Sequence, residues 1–328
     1  MFIEPMYANS VKRESLSDTS FKSGWGEYIL DVKQDGVRCI VVHDHEGINL
    51  YSRTGKLQNG KVPGLEKELR DTLPYGSVID GELALVDRLE EIGGQSVPVV
   101  NFNKTMTVIG SLPENAVLKQ ELMGKEVSLI AFDILKWEGT DFTSRDQMSR
   151  INKLYSEFKY TFDNEESLLY LGNVYSDPSQ YLDLYDEITE KKIEGAILKN
   201  TKCLYVPGKR PAKHWYKAKR ERSFDVVVLG YTEGQGKYEG QIGAIEFGAY
   251  DKDGSLVRIG KCSGLTDEER RDITNNKDEY LGRVFEVKSN DMVGSGEYRS
   301  PRHPNFLHWR EDKLPEQCSR SQFHKENV

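Results

Sequence analysis

The sequence has few cysteines and lacks long apolar runs. Its four cysteines, Cys39, Cys203, Cys262 and Cys318, are far apart and form no CxxC pair, so a zinc ribbon or a disulfide framework is not expected. No apolar run is long enough to cross a bilayer. The N-terminal residues show no charged segment followed by an apolar core, so no signal peptide is expected. We therefore expect a reducing, cytoplasmic compartment and no membrane partner.

The chain also lacks an overall excess of positive charge. Its 328 residues carry a formal net charge of −8, which by itself argues against a nucleic-acid-binding protein. The basic residues are nevertheless concentrated between residues 199 and 222, where only Glu221 opposes them. They are Lys199, Lys202, Lys209, Arg210, Lys213, Lys217, Lys219, Arg220 and Arg222. This stretch is either a solvated basic face or a site for phosphate groups.

Two lysines in this stretch favour the phosphate site. Residues 214–219 alternate aromatic and basic side chains, as expected for a strand. On a strand, Lys217 and Lys219 would point to the same side. Two ammonium groups on one side would form a site for phosphate.

A third lysine, Lys33, follows the predicted strand 28–32 and precedes a predicted strand at 39–42. The Asp35-Gly36 pair between them is typical of a hairpin turn, so we expect the two strands to pair with each other. Lys33 is a solvated lysine, a phosphate ligand or a covalent nucleophile. A nucleophilic role would need cationic neighbours or desolvation to lower its pKa.

The remaining pattern predicts an α+β first domain at 1–222, with antiparallel sheets and flanking helices, and a second domain at 223–328. In the first, Gly93, Gly94 and Pro98 indicate a loop, and Leu65–Leu73, Asn101–Ile109, Ser144–Phe158 and Ser179–Lys192 indicate helices. The second contains short strands separated by Gly-rich turns, one of them at Gly234–Gly240, and suits a small β-barrel of the OB type. We expect a short polar tail from about Glu316.

Taken together, seven motifs resemble those of the covalent nucleotidyltransferase superfamily, and most closely those of compact, phage-type ATP-dependent DNA ligases. They are Lys33-x-Asp35-Gly36-x-Arg38, Ser52-Arg53-x-Gly55, Asp80-Gly81-Glu82, Ala131-Phe132-Asp133-Ile134-Leu135, Glu194-Gly195-Ala196-Ile197-Leu198-Lys199, Trp215-Tyr216-Lys217-Ala218-Lys219 and Arg310-Glu311-Asp312-Lys313. The resemblance covers residues 28–313. It implies a nucleotidyltransferase (adenylation) domain followed by an OB-fold domain, without the additional domains of larger ligases. Asp31 departs from the family pattern, which has glutamate two residues before the lysine.

The resemblance implies the sealing of 5′-phosphate/3′-hydroxyl nicks in duplex DNA, in replication, repair or recombination. Lys33 would carry AMP covalently, with Lys217 and Lys219 on the α-phosphate and lowering the pKa of Lys33. ATP would be the cofactor together with Mg²⁺, for which Mn²⁺ could substitute, and nicked double-stranded DNA the partner of a monomer. A phage origin would place the enzyme in the cytoplasm of its host.

The family's other roles carry over residue by residue. The nucleotide-binding residues would be Asp31, Val32, Arg38, Arg53, Glu82, Phe132, Lys199, Arg310 and Lys313, the metal ligands Glu194 and Glu82, and the DNA-binding residues Arg38, Arg53, Lys209 and Arg210. Arg310 and Lys313 would grip the β- and γ-phosphates in the first step only, so the second domain would close over ATP and then move away. For Phe132, predicted to stack on adenine, the alternative is an ordinary core position. For Glu82 and Glu194 it is a surface carboxylate.

Other functions remain open from the sequence alone. An mRNA-capping guanylyltransferase using GTP shares the first and last motifs. An RNA ligase fits less well, because its C-terminal domain is usually not an OB-fold. A nucleic-acid-binding module with a dead transferase site would need a missing catalytic side chain, and every motif position holds a chemically competent residue.

Overall fold

The computed structural model describes residues 2–17, 28–158, 166–289, 291–294 and 296–325. The chain divides into two compact units, Met1–Lys219 and Arg220–Val328. No helix in the described part of the chain is both long and apolar enough to span a bilayer.

The first unit is built from thirteen described strands and five described helices. The strands are β1 (Asn9–Ser10), β2 (Tyr28–Lys33), β3 (Val37–Asp44), β4 (Gly47–Ser52), β5 (Val78–Ala84), β6 (Val86–Ile92), β7 (Gln95–Val100), β8 (Ser128–Trp137), β9 (Thr140–Asp141), β10 (Leu169–Leu171), β11 (Val174–Tyr175), β12 (Gly195–Asn200) and β13 (Trp215–Lys219). The helices are α1 (Pro63–Thr72), α2 (Phe102–Ile109), α3 (Pro113–Met123), α4 (Gln147–Phe158) and α5 (Tyr181–Glu190).

Two mostly antiparallel sheets organise this unit. Sheet I has the strand order β1-β13-β12-β2-β11, and sheet II has the order β10-β8-β5-β3-β4, with β9 added beside β8. One apolar cluster covers a face of sheet II and includes residues of α1 to α4, and another covers a face of sheet I and includes residues of α5. A third cluster joins the two sheets, with Ile40 and Leu135 from sheet II and Trp215 from sheet I. The predicted antiparallel sheets with flanking helices are therefore confirmed.

The predicted hairpin at Asp35-Gly36 is wrong. Strand β2 pairs with β11 and β12, whereas β3 pairs with β4 and β5, so the turn carries the chain from sheet I to sheet II. Gly36 lies against the backbone of β5, because a Cβ atom there would stand 2.3 Å from the carbonyl oxygen of Leu83. Glycine at this position thus allows the connection between β2 and β3 to pack closely against β5.

Other local predictions also need correction. Gly93 and Gly94 form the tight turn of the β6–β7 hairpin, both with positive φ, and Pro98 lies within β7. Helix α4 begins at Gln147, because Asp146 accepts a hydrogen bond from the Ser149 amide and so ends the preceding loop.

The second unit contains the strands β14 (Arg222–Glu233), β15 (Ile242–Tyr250), β16 (Leu256–Cys262), β17 (Val284–Ser289), β18 (Asp291–Val293), β19 (Ser300–Arg302) and β20 (Asn305–Trp309), with the helices α6 (Asp267–Asn275) and α7 (Lys277–Tyr280). Five of these strands form sheet III in the order β16-β15-β14-β17-β20. Its outer strands approach each other at one bridge, between Ser263 and Asn305, rather than along a continuous ladder.

The C-terminal residues differ from the expected polar tail. Two short 3₁₀ turns, Pro315–Gln317 and Arg320–Phe323, follow the last strand. Cys318 and Phe323 are buried, and the Phe323 ring stacks on Phe224 at a centroid distance of 4.8 Å. Burial of these two side chains fixes the segment on the second unit.

Candidate active site

Strand alternation brings most of the predicted site residues on the strands of the first unit to one side of each sheet. In β2, the side chains of Tyr28, Leu30 and Val32 pack in the core beside α5, so Asp31 and Lys33 point to the opposite face. The same alternation in β13 turns Lys217 and Lys219 toward the face of Trp215. The corresponding face of sheet II carries Arg38, Glu82 and Phe132. The space between the two sheets is thus where these side chains converge.

The ammonium of Lys33 contacts a single carboxylate that it shares with a second lysine. Glu194, at the entry to β12, forms ion pairs with Lys33 through one oxygen and with Lys219 through the other. The Lys33 side chain is 19% exposed and that of Glu194 is 7% exposed. The nucleophile candidate, the metal-ligand candidate and one phosphate-binding candidate therefore form one contiguous, largely desolvated cluster.

The electrostatics of this cluster correct one expectation. Burial of the ammonium acts to lower the pKa of Lys33, but the carboxylates of Glu194 and Glu82 outweigh it and raise the pKa above that of a free lysine. The pKa of Lys217 is lowered instead, because burial and the charges of Lys219 and Lys33 act in that direction. The predicted depression of the Lys33 pKa is wrong for this arrangement, because Glu194 bonds directly to the ammonium of Lys33 and to that of Lys219.

Glu82 is the second carboxylate beside Lys33. Burial raises the pKa of Glu82 to about 7. The charges of Lys33 and Arg38 lower this pKa, and those of Glu194 and Asp80 raise it further. Among the described residues, no group of three or more His, Cys, Asp or Glu side chains forms a metal site. Mg²⁺ in nucleotide enzymes is usually held by one or two carboxylates together with phosphates and water. The donor set of Glu82 and Glu194 fits such an ion.

A buried ion pair closes one side of the site. Asp31 binds Lys199 at 2.6 Å, and both side chains are almost fully buried. Lys199 also donates to the carbonyl oxygen of Phe132 at 3.0 Å, and its ammonium lies 4.8 Å from the centroid of the Phe132 ring. The second oxygen of Asp31 has no hydrogen-bond partner among the described residues, and burial raises the pKa of this carboxyl. An acceptor left without a donor at this position suits a ligand that supplies an N–H group.

Of two further nucleotide-binding predictions, Val32 lies away from the face described above, whereas Phe132 lies on it. The Val32 side chain lies on the far face of β2, in the core beside α5, and its amide donates to the carbonyl oxygen of Asn173 at 3.1 Å. Phe132 is partly exposed, and its ring also carries the Arg38 guanidinium at 4.7 Å. Stacking of Phe132 on adenine stays a prediction.

Arg38 is engaged by a carboxylate of the neighbouring strand. Its Nε and Nη2 atoms bind the two oxygens of buried Asp80 at 2.5 and 2.6 Å. Tyr205 donates its hydroxyl to the same carboxylate at 2.6 Å. The fork of the guanidinium, which we expected to bind a phosphate, is therefore directed at Asp80. Phosphate contact by Arg38 stays a prediction for its remaining donors.

Two of the other predicted DNA-binding residues, Arg53 and Lys209, contact Tyr7. The exposed Arg53 guanidinium lies over the Tyr7 ring at 4.7 Å, and the Tyr7 amide donates to the carbonyl oxygen of Lys209 at 2.8 Å. Lys209 and Arg210 are also exposed, and the charge of Arg210 acts on Lys217. We call Arg53, Lys209 and Arg210 the basic patch.

The last motif forms its own cluster in the second unit. Arg310 binds Asp312 with Nε and Nη2, both at 2.8 Å, and binds Asp225 with Nη1 at 2.8 Å. Lys313 binds the other oxygen of Asp225 at 2.6 Å. A cavity of about 330 Å³ beside them is lined by Arg283, Arg310 and Lys313 together with neighbouring residues. Two cations of the motif thus line a concave surface.

Several residues of these clusters were not predicted as site residues, among them Asp80, Trp215 and Asp225. Asp80 and Trp215 lie within motifs, so their proximity to the site had a signal in the sequence. Asp225 had none, since it stands 85 residues before Arg310 in the chain.

The comparisons with known proteins agree with this geometry. Residues 5–219 match the ATP dependent DNA ligase domain, and residues 233–310 match the DNA ligase OB-like domain. The chain therefore belongs to the ATP-dependent DNA ligase family. This confirms both the resemblance and the fold class of a nucleotidyltransferase domain followed by an OB-like domain.

Named relatives include two DNA ligases of different origin. The one from Haloarcula marismortui is 30% identical over 308 residues, covering 89% of this chain and 53% of that protein. The one from Vaccinia virus (strain Ankara) is 28% identical over 356 residues, covering 95% and 60%. The chain thus spans about half the length of the curated relatives it matches.

Solved structures support the fold. A structure described as Pmar-Lig has a TM-score of 0.70 at 22% identity, covering 94% of this chain and 68% of that chain. A structure from a study of Lig E DNA ligases has a TM-score of 0.65 at 20% identity, covering 94% of this chain and all of that chain.

Proposed function

We propose that the protein is an ATP-dependent DNA ligase that seals 5′-phosphate/3′-hydroxyl nicks in duplex DNA through a lysine–AMP intermediate. The observation that carries the proposal is the cluster of Lys33, Glu194 and Lys219, in which a largely buried amine pairs with a carboxylate that also pairs with a second lysine. Family membership, shown over residues 5–219, supports the same reading. The enzyme would act as a monomer on nicked DNA during replication, repair or recombination.

The proposed reaction has three steps. The Lys33 amine attacks the α-phosphorus of ATP, an N–P bond forms, and pyrophosphate leaves. The AMP group then passes from Lys33 to the 5′-phosphate of the nick, which frees the lysine. The 3′-hydroxyl attacks that phosphate, a phosphodiester bond forms, and AMP leaves.

Some of these residues neutralise phosphate charge, and others orient the nucleotide. Lys217 and Lys219 neutralise the α-phosphate, and Arg310 and Lys313 neutralise the β- and γ-phosphates. Asp31 accepts a hydrogen bond from the base through its unpartnered oxygen. Glu82 and Glu194 would hold Mg²⁺, with Mn²⁺ as a substitute, and the ion when bound would supply positive charge for the phosphate oxygens. The four free, buried cysteines support a reducing cytoplasm, that of a host cell if the gene is viral.

Before attack, Lys33 must lose its proton. In the described arrangement the amine is bonded to Glu194 and its pKa is raised, so the protonated form dominates at neutral pH. Any positive charge that draws Glu194 away from Lys33 lowers this pKa and favours the reactive neutral amine. The carboxylate therefore controls when the nucleophile is available.

The first experiment is sealing of a singly nicked, labelled duplex with Mg²⁺ and either ATP or GTP, together with transfer of label from the nucleotide to Lys33. We expect sealing and labelling with ATP and neither with GTP, and neither with a Lys33→Arg variant. Labelling by GTP without sealing would instead indicate a capping guanylyltransferase. Absence of labelling by either nucleotide, with DNA binding retained, would indicate a binding module.

A further inference from the structure

Asp225 is the centre of the ion-pair cluster in the second unit. Its two oxygens bind two different cations of the last motif, Arg310 Nη1 at 2.8 Å and Lys313 Nζ at 2.6 Å. Arg310 and Lys313 are three residues apart, so their like charges would otherwise repel at short range. One carboxylate between them fixes the separation of both groups.

The position of Asp225 is itself fixed by the sheet. It lies in β14, where it is paired in register with Glu286 of β17, and its carbonyl oxygen accepts a hydrogen bond from Gln322 at 2.8 Å. The Arg310 amide donates to the carbonyl oxygen of Val284 at 2.9 Å, which anchors the motif to the same sheet. The cluster is therefore supported by backbone hydrogen bonds on both sides.

The two carboxylates that bind Arg310 differ in exposure. The side chain of Asp225 is 17% exposed and that of Asp312 is 69% exposed. Together they use three of the five N–H donors of Arg310. Asp312 can exchange its bonds with solvent or with an anion at little cost, because an exposed ion pair contributes little. When Asp312 exchanges its bonds, Asp225 still holds Arg310.

The cations face the cavity of about 330 Å³, but Asp225 does not line it. A ligand in that cavity would therefore touch Arg310 and Lys313 without touching Asp225. The lining also contains Arg283 and one carboxylate, Glu311, which is paired with Arg283, so cations outnumber anions there. Phosphate oxygens are groups that such a lining recognises.

We propose that Asp225 is a positioning residue that holds Arg310 and Lys313 in the arrangement that receives the β- and γ-phosphates of ATP. The inference rests on the function proposed above. It assigns Asp225 an effect on the first step alone, because the later steps involve no triphosphate.

The test separates the first step from the last in the intact chain. Transfer of AMP to Lys33 is measured against ATP concentration, and sealing is measured on a duplex whose nick already carries 5′-adenylate, without ATP. For Asp225→Asn we expect a higher KM for ATP and a lower kcat of AMP transfer, together about tenfold to a hundredfold in kcat/KM, as for a displaced positioning group. Sealing of the adenylated nick should stay within about twofold of wild type.

Asp251→Asn is the matched control, because Asp251 also forms a partly exposed ion pair in this unit, with Arg320. It should leave both assays unchanged. Should Asp225→Asn unfold at the assay temperature, Asp225→Glu replaces it: the charge is kept, one methylene is added, and the same split is expected at about twofold to tenfold.

Equal reductions in both assays, or no reduction in either, would overturn the inference, since a structural role would affect every step and an idle residue none. Wild-type protein that neither labels Lys33 nor seals adenylated nicks would overturn the proposed function and this inference with it. Wild-type activity with an unaffected Asp225 variant would overturn this inference alone.

Discussion

At the scale of single residues, Glu194 sets the protonation of Lys33. A buried lysine without a partner would have a lowered pKa, because the charged form loses its hydration. Here a carboxylate bonded to the ammonium reverses the direction. The sequence motif alone therefore names the nucleophile candidate, but the protonation of this lysine depends on a residue 161 positions away.

Glu194→Gln should lower the pKa of Lys33, because the carboxamide keeps the shape and removes the negative charge while burial remains. The check is the pH dependence of Lys33 modification by trinitrobenzenesulfonate, followed by mass spectrometry without nucleotide or metal. The midpoint should move to lower pH in the variant. Lys67, which pairs with exposed Asp71, is the internal control and should titrate as before. A midpoint that moves upward, or equally for both lysines, would contradict this account.

Gly36 is the second residue whose identity the structure explains. A methyl group there would meet the Leu83 carbonyl at 2.3 Å and the Glu82 side chain at 2.8 Å. Gly36→Ala should therefore destabilise the protein by about 1–3 kcal/mol, the usual range for overpacking. It should also slow AMP transfer to Lys33, because the turn that carries Lys33 must shift. Gly230→Ala, whose Cβ would meet only a side-chain oxygen at 3.7 Å, is the control for urea unfolding and AMP transfer.

At the scale of elements, α4 supports the site from behind through buried polar contacts. Arg150 binds both oxygens of Asp133 at 2.8 and 3.0 Å, and Gln147 accepts from Trp215 Nε1 at 2.7 Å. Asp133 follows Phe132 on β8, and Trp215 begins β13. The helix thus fixes one strand from each sheet at the point where the site residues converge.

Arg150→Met should cost about 3–5 kcal/mol of unfolding free energy, because it leaves the Asp133 carboxylate buried without its cation. Lys67→Met removes an exposed ion pair on α1 and should cost less than about 1 kcal/mol. Urea unfolding of the two variants measures the difference. Adding Asp133→Leu to Arg150→Met should recover stability, since the unpaired charge is then gone. A double variant no more stable than Arg150→Met would show that the charge is not the cause.

Several elements can be predicted from the sequence, and the errors have local causes. The strand 28–32 and the helices near α1, α2 and α5 are among the elements that the residue pattern predicts. Helix α3 is not among the predicted helices, although Pro113 begins it and Gly124 ends it with φ of 60°, the usual asymmetry of helix ends. The hairpin prediction at Asp35-Gly36 is wrong because an Asp-Gly pair indicates that the chain turns, but it does not indicate which strands pair with each other. Pairing of β2 with β12, across some 160 residues, has no local signal.

At the scale of the whole molecule, exposed positive charge is concentrated in one patch although the net charge is negative. The net charge of −8 should repel DNA, and binding therefore depends on where the cations are exposed. The basic patch of Arg53, Lys209 and Arg210 is exposed, and Tyr7 contacts both the Arg53 guanidinium and the backbone of Lys209. Arg38 is turned toward Asp80 instead. The patch is thus the better candidate for contact with the phosphate backbone.

Lys209→Ala with Arg210→Ala should weaken binding to nicked and intact duplexes alike and reduce the salt dependence. Removing one phosphate-binding cation lowers the slope of log K against log salt concentration by about 1, so the double variant should have a slope smaller by about 2. Fluorescence anisotropy of a labelled duplex between low and physiological salt measures the slope.

The control, Lys67→Ala with Arg70→Ala on α1, removes the same net charge from two exposed positions and should keep the wild-type slope. Equal slopes for the two double variants would show that net charge, and not the basic patch, governs binding. A smaller slope for the Lys209/Arg210 variant alone would assign the contact with the phosphate backbone to the basic patch.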